Sequence, residues 1–214
     1  MLINFINLFK SFSKSFFPRK CVGCKTPDFW ICKKCLKNIP ISEEKPEKWI
    51  YSVFSYRSNV LRKVIWDLKF RGKYSVLEDM EEKIRKEFII FLSKNNLNKE
   101  TLYLVPIPIT KESQKRRKYN QSFLIAKKIV KENENIKNIL VKTKNHKSQN
   151  KIKNRNERLR NVVGSFSVKE NNIPKNSTIV LIDDIVTTGA TLSEAKRSLK
   201  EYGFKNIFAF TLGH

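Results

Sequence analysis

The hydrophobic positions after residue 48 alternate between strand-like and helix-like periodicity. Aliphatic and aromatic runs predict strands at 49–56, 102–109, 139–143, 178–182 and 207–211. Apolar residues recurring every three or four positions predict helices at 59–70, 77–93, 121–132 and 192–202. Because strands alternate with helices, the pattern predicts an α/β domain over 49–214 with a largely parallel central sheet flanked by helices. Ligands on such sheets bind beyond the carboxyl ends of the strands.

The first 20 residues predict a separate amphipathic helix. Its apolar positions fall on one face, which Lys10 and Lys14 avoid. The order of charge and apolar residues differs from that of a secretory signal, and the small-residue cleavage site typical of such signals is lacking. Two interpretations stay open: the helix packs on its own domain, or it lies in a membrane interface with its phenylalanines buried and its lysines against anionic lipid. No apolar run reaches the roughly 20 residues that span a bilayer.

The net charge of the chain indicates which class of partner it binds. Lys and Arg total 44 against 20 Asp and Glu, a net charge of +24, which attracts polyanions over long range. A bias toward Lys, Asn and Ile throughout the chain explains part of this excess as composition alone. The clustering favours a polyanion surface, however, because residues 142–160 carry eight basic residues and one acidic residue. The predicted nucleic-acid contacts are Lys115, Lys118, Lys151, Lys153, Arg155, Arg158 and Arg160.

The four cysteines of the chain lie within fifteen positions, as Cys21, Cys24, Cys32 and Cys35. Two C-x2-C pairs this close supply four soft ligands for a tetrahedral metal and predict a structural zinc ribbon over 21–48. An iron–sulfur cluster is the minor alternative, and a redox C-x2-C normally comes singly. Gly23 is expected to ease the first turn through a positive φ. Cysteines packed into one short stretch rather than linking distant segments fit a reducing cytoplasm.

The segment 178–191 joins a buried strand to a helix through acids and hydroxyls. Asp183 and Asp184 follow the strand, where their carboxylates can accept hydrogen bonds from the two vicinal hydroxyls of a ribose. The loop of Thr187, Thr188, Gly189, Ala190 and Thr191 then opens a helix, whose free N–H groups and dipole favour a phosphate. Ordinary surface acids before a helix cap are the plainer interpretation. Adjacent aspartates repel each other, however, which favours a site for a phosphorylated ribose.

This segment resembles the signature of type I phosphoribosyltransferases, which bind 5-phosphoribosyl-1-pyrophosphate (PRPP). The wider pattern resembles the ComF competence family, in which a four-cysteine zinc element precedes such a domain. The further matching segments are Phe17-Pro18, Leu68-Lys69-Phe70-x-Gly72, Val105-Pro106-Ile107-Pro108, Arg117-x-x-Asn120-Gln121 and Arg158-x-x-Asn161.

The resemblance implies roles for individual residues. Asp183 and Asp184 would be the catalytic pair and hold the ribose with Mg²⁺, and the loop 187–191 would hold the 5′-phosphate. Lys69 and Gly72 would belong to the pyrophosphate loop. The mobile loop that closes over pyrophosphate would contain Arg116, Arg117, Asn120 and Gln121. Relatives often have glycine where this chain has Lys118, and the loss of that glycine is expected to stiffen the loop.

Three functions follow as expectations from the resemblance and the charge. The first is a competence protein that binds PRPP and handles incoming single-stranded DNA in the cytoplasm, at the inner face of the membrane if the N-terminal helix binds there. Tyr119, Trp49 and Tyr74 are its candidate stacking residues, although each also fits a core or rim position. The second is an active phosphoribosyltransferase for an unidentified base or amine. The third is a structural adaptor of the DNA-uptake machinery that uses PRPP as a switch.

Overall fold

The computed structural model describes residues 19–43, 47–130, 135–143 and 163–214. The predicted N-terminal helix therefore lies outside the described residues, apart from its last two positions. The same holds for five predicted nucleic-acid contacts, Lys151, Lys153, Arg155, Arg158 and Arg160. No helix in the described part of the chain is long and apolar enough to cross a membrane.

A four-stranded sheet forms the centre of the fold. Its strands are β1 (Ile50–Phe54), β2 (Leu102–Pro106), β5 (Thr178–Ile185) and β6 (Asn206–Gly213), in the order β1-β6-β5-β2. Every neighbouring pair is parallel, which confirms the predicted sheet. Strand β5 lies between β6 and β2, and its apolar residues 179–182 are fully buried, as an aliphatic run covered on both faces requires.

Helices cover both faces of this sheet because successive strand residues point to opposite sides. Val180 and Ile182 pack into one core with helices α2 (Asn59–Phe70), α3 (Val76–Lys94) and α5 (Gln121–Ile129). Ile179 and Leu181 pack into the other with helix α6 (Ala190–Glu201). The carboxyl ends of all four strands share one edge, where the signature segment lies.

Four short elements differ from the sequence-based expectation or were absent from it. The predicted strand at 139–143 is β3 (Leu140–Lys142), which pairs antiparallel with β4 (Phe166–Val168) outside the main sheet. Strand β4 was too short to show a period. Helix α4 (Lys111–Arg117) has no buried residue and so carries no apolar pattern that reveals it. Helix α1 (Lys33–Lys37) lies within the cysteine module.

Candidate functional site

The acid pair lies within strand β5 rather than beyond it. The ladder between β5 and β6 continues through Asp183↔Thr211 to Ile185↔Gly213, so both carboxylates extend from a backbone held by strand hydrogen bonds. Asp184 contacts Lys69 of α2, whereas Asp183 contacts Ser122 of α5. Asp184 is buried and Asp183 is half-buried. The strand therefore fixes two carboxylates in different surroundings.

Asp184 is paired with the predicted PRPP-binding residue Lys69. The Nζ atom of Lys69, in the last turn of α2, lies 3.0 Å from Oδ2 of Asp184. Among the described residues, this Oδ2 has no partner in hydrogen-bond geometry, so the contact is an ion pair by distance alone. The Oδ1 atom accepts the N–H of Ile185 at 2.8 Å. A buried carboxylate oxygen without a hydrogen-bond donor suits a hard cation such as Mg²⁺.

Asp183 has a different set of partners. Its Oδ1 accepts the hydroxyl of Ser122 at 3.0 Å and the N–H of Asp184 at 2.9 Å. Burial, followed by the charge of Asp184, raises the pKa of Asp183 to about 7, against the opposing effect of Lys69. Burial lowers the pKa of Lys142 on β3, and the charge of Asp183 opposes this shift only in part. This lysine therefore lies within electrostatic reach of Asp183. Ser122 belongs to no predicted site, because it stands in no recognisable motif, and Lys142 was predicted only as part of the basic cluster 142–160.

The threonine loop connects β5 to the N-terminus of α6. Gly189 is the N-cap residue and has φ +75°, a left-handed conformation in which glycine carries no steric cost. Thr188 Oγ1 accepts the N–H of Ala190 at 3.4 Å. Thr187 is exposed and Thr191 is half-buried. The structure therefore places the five predicted phosphate-binding residues at a helix N-terminus, a few residues after the acid pair.

The predicted mobile segment includes the end of α4. Arg117 ends that helix and donates from Nη1 to Gln121 Oε1 at 3.0 Å, while its Nε is buried without a hydrogen-bond partner among the described residues. Burial lowers the pKa of Arg117, and the negative charge of Asp184 opposes this shift only in part. The guanidinium therefore lies within electrostatic reach of the acid pair. Asn120 caps α5, accepting from Ser122 N–H at 2.9 Å and donating to Ile107 O at 3.0 Å. Closure of this segment stays a prediction.

The remaining predicted residues near this segment are partly exposed. Lys118 adopts φ +64°, the conformation that glycine would favour at this position, and Lys115 and Arg116 are exposed. Gly72 has φ +67° in the turn after α2. Of the three candidate stacking residues, Tyr74 is exposed and lies 5.6 Å from Tyr119 between ring centroids, whereas Trp49 and Tyr119 are half-buried.

The four cysteines converge as the zinc prediction requires. The sulfur atoms of Cys21, Cys24, Cys32 and Cys35 all lie within 4.8 Å of one another. The Sγ atoms of Cys24 and Cys32 are 3.6 Å apart, which is close to the edge of a tetrahedron with Zn–S bonds of about 2.3 Å.

Gly23 is needed for a different reason than the sequence indicated. The positive φ in this turn belongs to Lys25, at 69°, whereas Gly23 is not among the glycines with positive φ. A Cβ at Gly23 would lie 2.7 Å from the Sγ of Cys35, closer than van der Waals contact allows. The expectation of a positive φ was therefore wrong, and Gly23 instead makes room for the ligand set.

Helix α3 fixes the cysteine module on the α/β domain. Oδ2 of Asp79 accepts the backbone N–H groups of Trp30 at 2.7 Å and Ile31 at 3.1 Å. The indole N–H of Trp30 donates to Ser75 Oγ at 2.8 Å, and the ammonium of Lys73 lies 4.1 Å from the centre of its ring. Ile31 is buried in the same core as α2 and α3. The module is thus joined to the domain by buried contacts.

Comparison with known proteins matches these features to a family. Residues 120–212 match the phosphoribosyl transferase domain family. The chain is 33% identical over 162 residues to the competence protein ComFC of Bacillus subtilis, covering 75% of this chain and 62% of that protein. It is 28% identical over 193 residues to the competence protein ComFC of Streptococcus pneumoniae, covering 90% and 74% of the two chains. It is 32% identical over 108 residues to competence protein F of Haemophilus influenzae, covering 49% and 46%.

The aligned part thus spans less than two thirds of the Bacillus and Haemophilus proteins, which the chain matches only in part. The similarities agree with the fold, since the chain combines a parallel α/β domain with an N-terminal four-cysteine cluster. These similarities support the ComFC-type family of competence proteins for this chain, with a domain of the phosphoribosyltransferase type.

Proposed function

We propose that this protein binds PRPP with Mg²⁺ at the carboxyl edge of its sheet and handles incoming single-stranded DNA during natural transformation. The observation that carries the proposal is the acid pair fixed in β5 and followed by a phosphate-type loop at the start of α6. The names of its relatives, competence protein ComFC and competence protein F, support a role in competence. The net charge of +24 favours a polyanionic partner.

Each group at the site has a defined part in this proposal. Asp183 and Asp184 bind the ribose hydroxyls and the magnesium ion, and the N–H groups around Gly189 and Ala190 bind the 5′-phosphate. Lys69 and Arg117 provide positive charge for the pyrophosphate. Mg²⁺ would be held through carboxylate oxygens and the ligand's phosphates, where it neutralises their charge. When PRPP binds, Lys69 must therefore leave its ion pair with Asp184 and bind the pyrophosphate instead.

Calorimetric titration of PRPP with Mg²⁺ tests the binding proposal. We expect saturable binding to the wild type and no measurable binding to Asp183→Ala/Asp184→Ala. Glu82→Gln is the matched control, because it removes one exposed acid on α3, remote from β5, and should bind normally. Equal binding by the double variant would disprove this site, and absence of binding to the wild type would leave PRPP without a role.

A second candidate function is catalysis by the same site. Lys69 and Arg117 beside the acid pair favour it, since preorganised cations stabilise the charge that pyrophosphate gains as it departs. In that reaction, the bond from ribose C1 to the pyrophosphate oxygen breaks, a bond from C1 to an acceptor nitrogen forms, and the acceptor loses a proton. Measuring released pyrophosphate in the titration samples, with and without added bases, distinguishes turnover from binding alone. Binding without any release would favour a sensor or adaptor.

We also propose that Cys21, Cys24, Cys32 and Cys35 hold a structural zinc ion. Four thiolates around one centre leave no open position, so the metal would contribute folding energy rather than chemistry. We expect Cys21→Ser to lower both the zinc content and the thermal stability, whereas Lys34→Gln, an exposed change in α1, should alter neither. Unchanged zinc content in Cys21→Ser would contradict the assignment.

The proposed location is the cytoplasm, where thiols stay reduced. Association with the inner face of the membrane and with the DNA-uptake machinery depends on the N-terminal segment, which lies outside the described residues. Partition of the full-length protein between membrane and soluble fractions tests this part, with Phe5→Asp/Phe12→Asp as the variant that should be released.

A further inference from the structure

A groove between the cysteine module and helix α2 is lined by residues that belong to none of the predicted sites. Its cavity volume is about 650 Å³. The charged side chains along it are mostly basic: Lys25, Arg62, Lys63 and Arg71, with Asp67 as the one acid. We refer to the groove formed by these residues with Trp66 as the basic groove. Its size and charge are those of a binding site for an anion larger than a single phosphate.

The positive charge of the basic groove is largely available. Among the described residues, no carboxylate forms an ion pair with Lys25, Arg62 or Lys63. Arg62 instead donates to Asn59 Oδ1 at 2.6 Å and to Arg57 O at 3.3 Å. Asp67 is shared by Lys73 at 2.9 Å and Arg71 at 3.5 Å, so its charge is already compensated. A phosphate chain can therefore meet three uncompensated cations here.

Two aromatic rings extend the basic groove along α2. Trp66 is 55% exposed and Phe70 is 39% exposed, and their ring centroids are 4.4 Å apart. Arg62, Trp66 and Phe70 are spaced by four positions, so they lie on one face of the helix. Two neighbouring aromatic rings exposed between cations offer surfaces on which a base can stack.

Phe70 connects this surface to the phosphoribose site. The guanidinium carbons of Arg116 and Arg117 lie 5.6 Å and 5.3 Å from the centre of its ring. Arg117 also feels the charge of Asp184, and Lys69, next to Phe70 in sequence, contacts Asp184 directly. Cations and aromatic rings thus alternate from the cysteine module to the acid pair.

We infer that Trp66 and Phe70 stack the bases of single-stranded DNA while Lys25, Arg62, Lys63 and Arg116 bind its phosphates. Cations that follow a backbone, combined with aromatic faces for bases, are the chemistry of single-strand binding. A duplex hides its base faces within the stack, so these exposed rings favour a single strand. The inference rests on the proposed handling of single-stranded DNA and assigns that role to α2 and the cysteine module.

Fluorescence anisotropy of a labelled oligothymidylate of about 16 nucleotides tests the inference. We expect Trp66→Ala to weaken binding about 5- to 150-fold, the effect of losing one base–aromatic stack. Alanine is the best helix former, so α2 should stay folded. Trp66→Phe should recover part of the affinity, and the PRPP titration should be unchanged in both variants.

The charge contribution is tested with a matched pair of double variants. Arg62→Gln/Lys63→Gln should lower the slope of log affinity against log salt by about 1.4, because two phosphate contacts are lost. Lys99→Gln/Lys205→Gln removes the same charge from exposed positions before the amino ends of β2 and β6 and should leave the slope nearly unchanged. If the two double variants changed the slope equally, the attraction of DNA would come from the charge of the whole surface. That result would contradict a binding site in the basic groove.

The other outcomes separate the inference from the proposed function. If the wild type binds the oligonucleotide and Trp66→Ala binds it equally well, the DNA lies elsewhere on the protein. That result would refute the inference, while the proposed function would stand. Lack of wild-type binding would refute both. Equal displacement of the oligonucleotide by polyglutamate and by unlabelled oligothymidylate at matched charge would show a general anion patch without stacking. A large fall in the melting temperature of Trp66→Ala would show that the Trp66 side chain packs against other parts of the protein and is not free to stack on bases. This result would also refute the inference.

Discussion

The acid pair makes a quantitative prediction about stability: Asp183→Asn should stabilise the free protein at neutral and higher pH. Asn keeps an acceptor oxygen for Ser122 and for the N–H of Asp184, which lie 3.0 and 2.9 Å from Oδ1. The substitution removes a charge that is partly withdrawn from water beside another carboxylate. Folding therefore no longer has to bring two negative charges together.

The magnitude follows from the pKa of Asp183. Its value is raised to about 7 in the folded protein, against about 3.9 in an unfolded chain. Each pKa unit corresponds to about 1.4 kcal/mol, so the full shift sets an upper limit of about 4 kcal/mol. Because Asp183 is only half-buried, solvent screening reduces this, and we expect a gain of about 1–3 kcal/mol.

The sign of the pH dependence is equally specific. Between about pH 4 and pH 7 the folded wild type binds more protons at Asp183 than the unfolded chain, so its stability decreases as pH rises through this window. Asp183→Asn lacks this pH-dependent contribution to stability. The difference in unfolding free energy between Asp183→Asn and the wild type should therefore be small near pH 4 and reach its full value above about pH 7.

Urea unfolding of both proteins across this pH range measures the effect, and the difference cancels all groups that the two share. Glu82→Gln is the control of opposite sign, because Lys86 lowers the pKa of Glu82 and its charge is favourable in the folded state. A neutral or destabilising Asp183→Asn at pH 8, or a difference that does not change with pH, would refute the reasoning. The same variant should lose binding of PRPP with Mg²⁺, as expected when charge repulsion is retained for function.

Two further predictions concern the backbone and the module contact. Lys118→Gly should raise stability by about 0.5–1 kcal/mol in thermal unfolding, because glycine adopts φ +64° without the strain of a side chain; a loss of stability would show that the lysine side chain contributes contacts. Asp79→Ala should lower stability by about 1–3 kcal/mol and increase hydrogen exchange at the amides of Trp30 and Ile31, since both would lose their half-buried acceptor. Protection of these amides at the wild-type level would contradict the role given to Asp79.

The sequence predicted the elements that have a strong period or a specific motif. The run 178–182 is buried on both sides and therefore reads as an aliphatic strand, and apolar spacing marked 59–70, which coincides with the helix observed. Helix α4 and strand β4 could not be predicted, because one buries no residue and the other is three residues long. The Cys-x2-Cys pairs predicted a cluster, since metal ligation requires few residues at fixed spacing.

The sequence by itself thus determined the parallel α/β class, the cysteine cluster and the likeness of the Asp183–Thr191 segment to a phosphoribose-binding motif, because each depends on residues close together in the chain. Only the tertiary structure decided which distant groups meet those residues. It brought Lys69 to Asp184 and Ser122 to Asp183, and it placed Trp66 of α2 in one groove with Lys25 of the cysteine module. Such contacts depend on how helices cross the sheet edge, which no local pattern of the chain encodes.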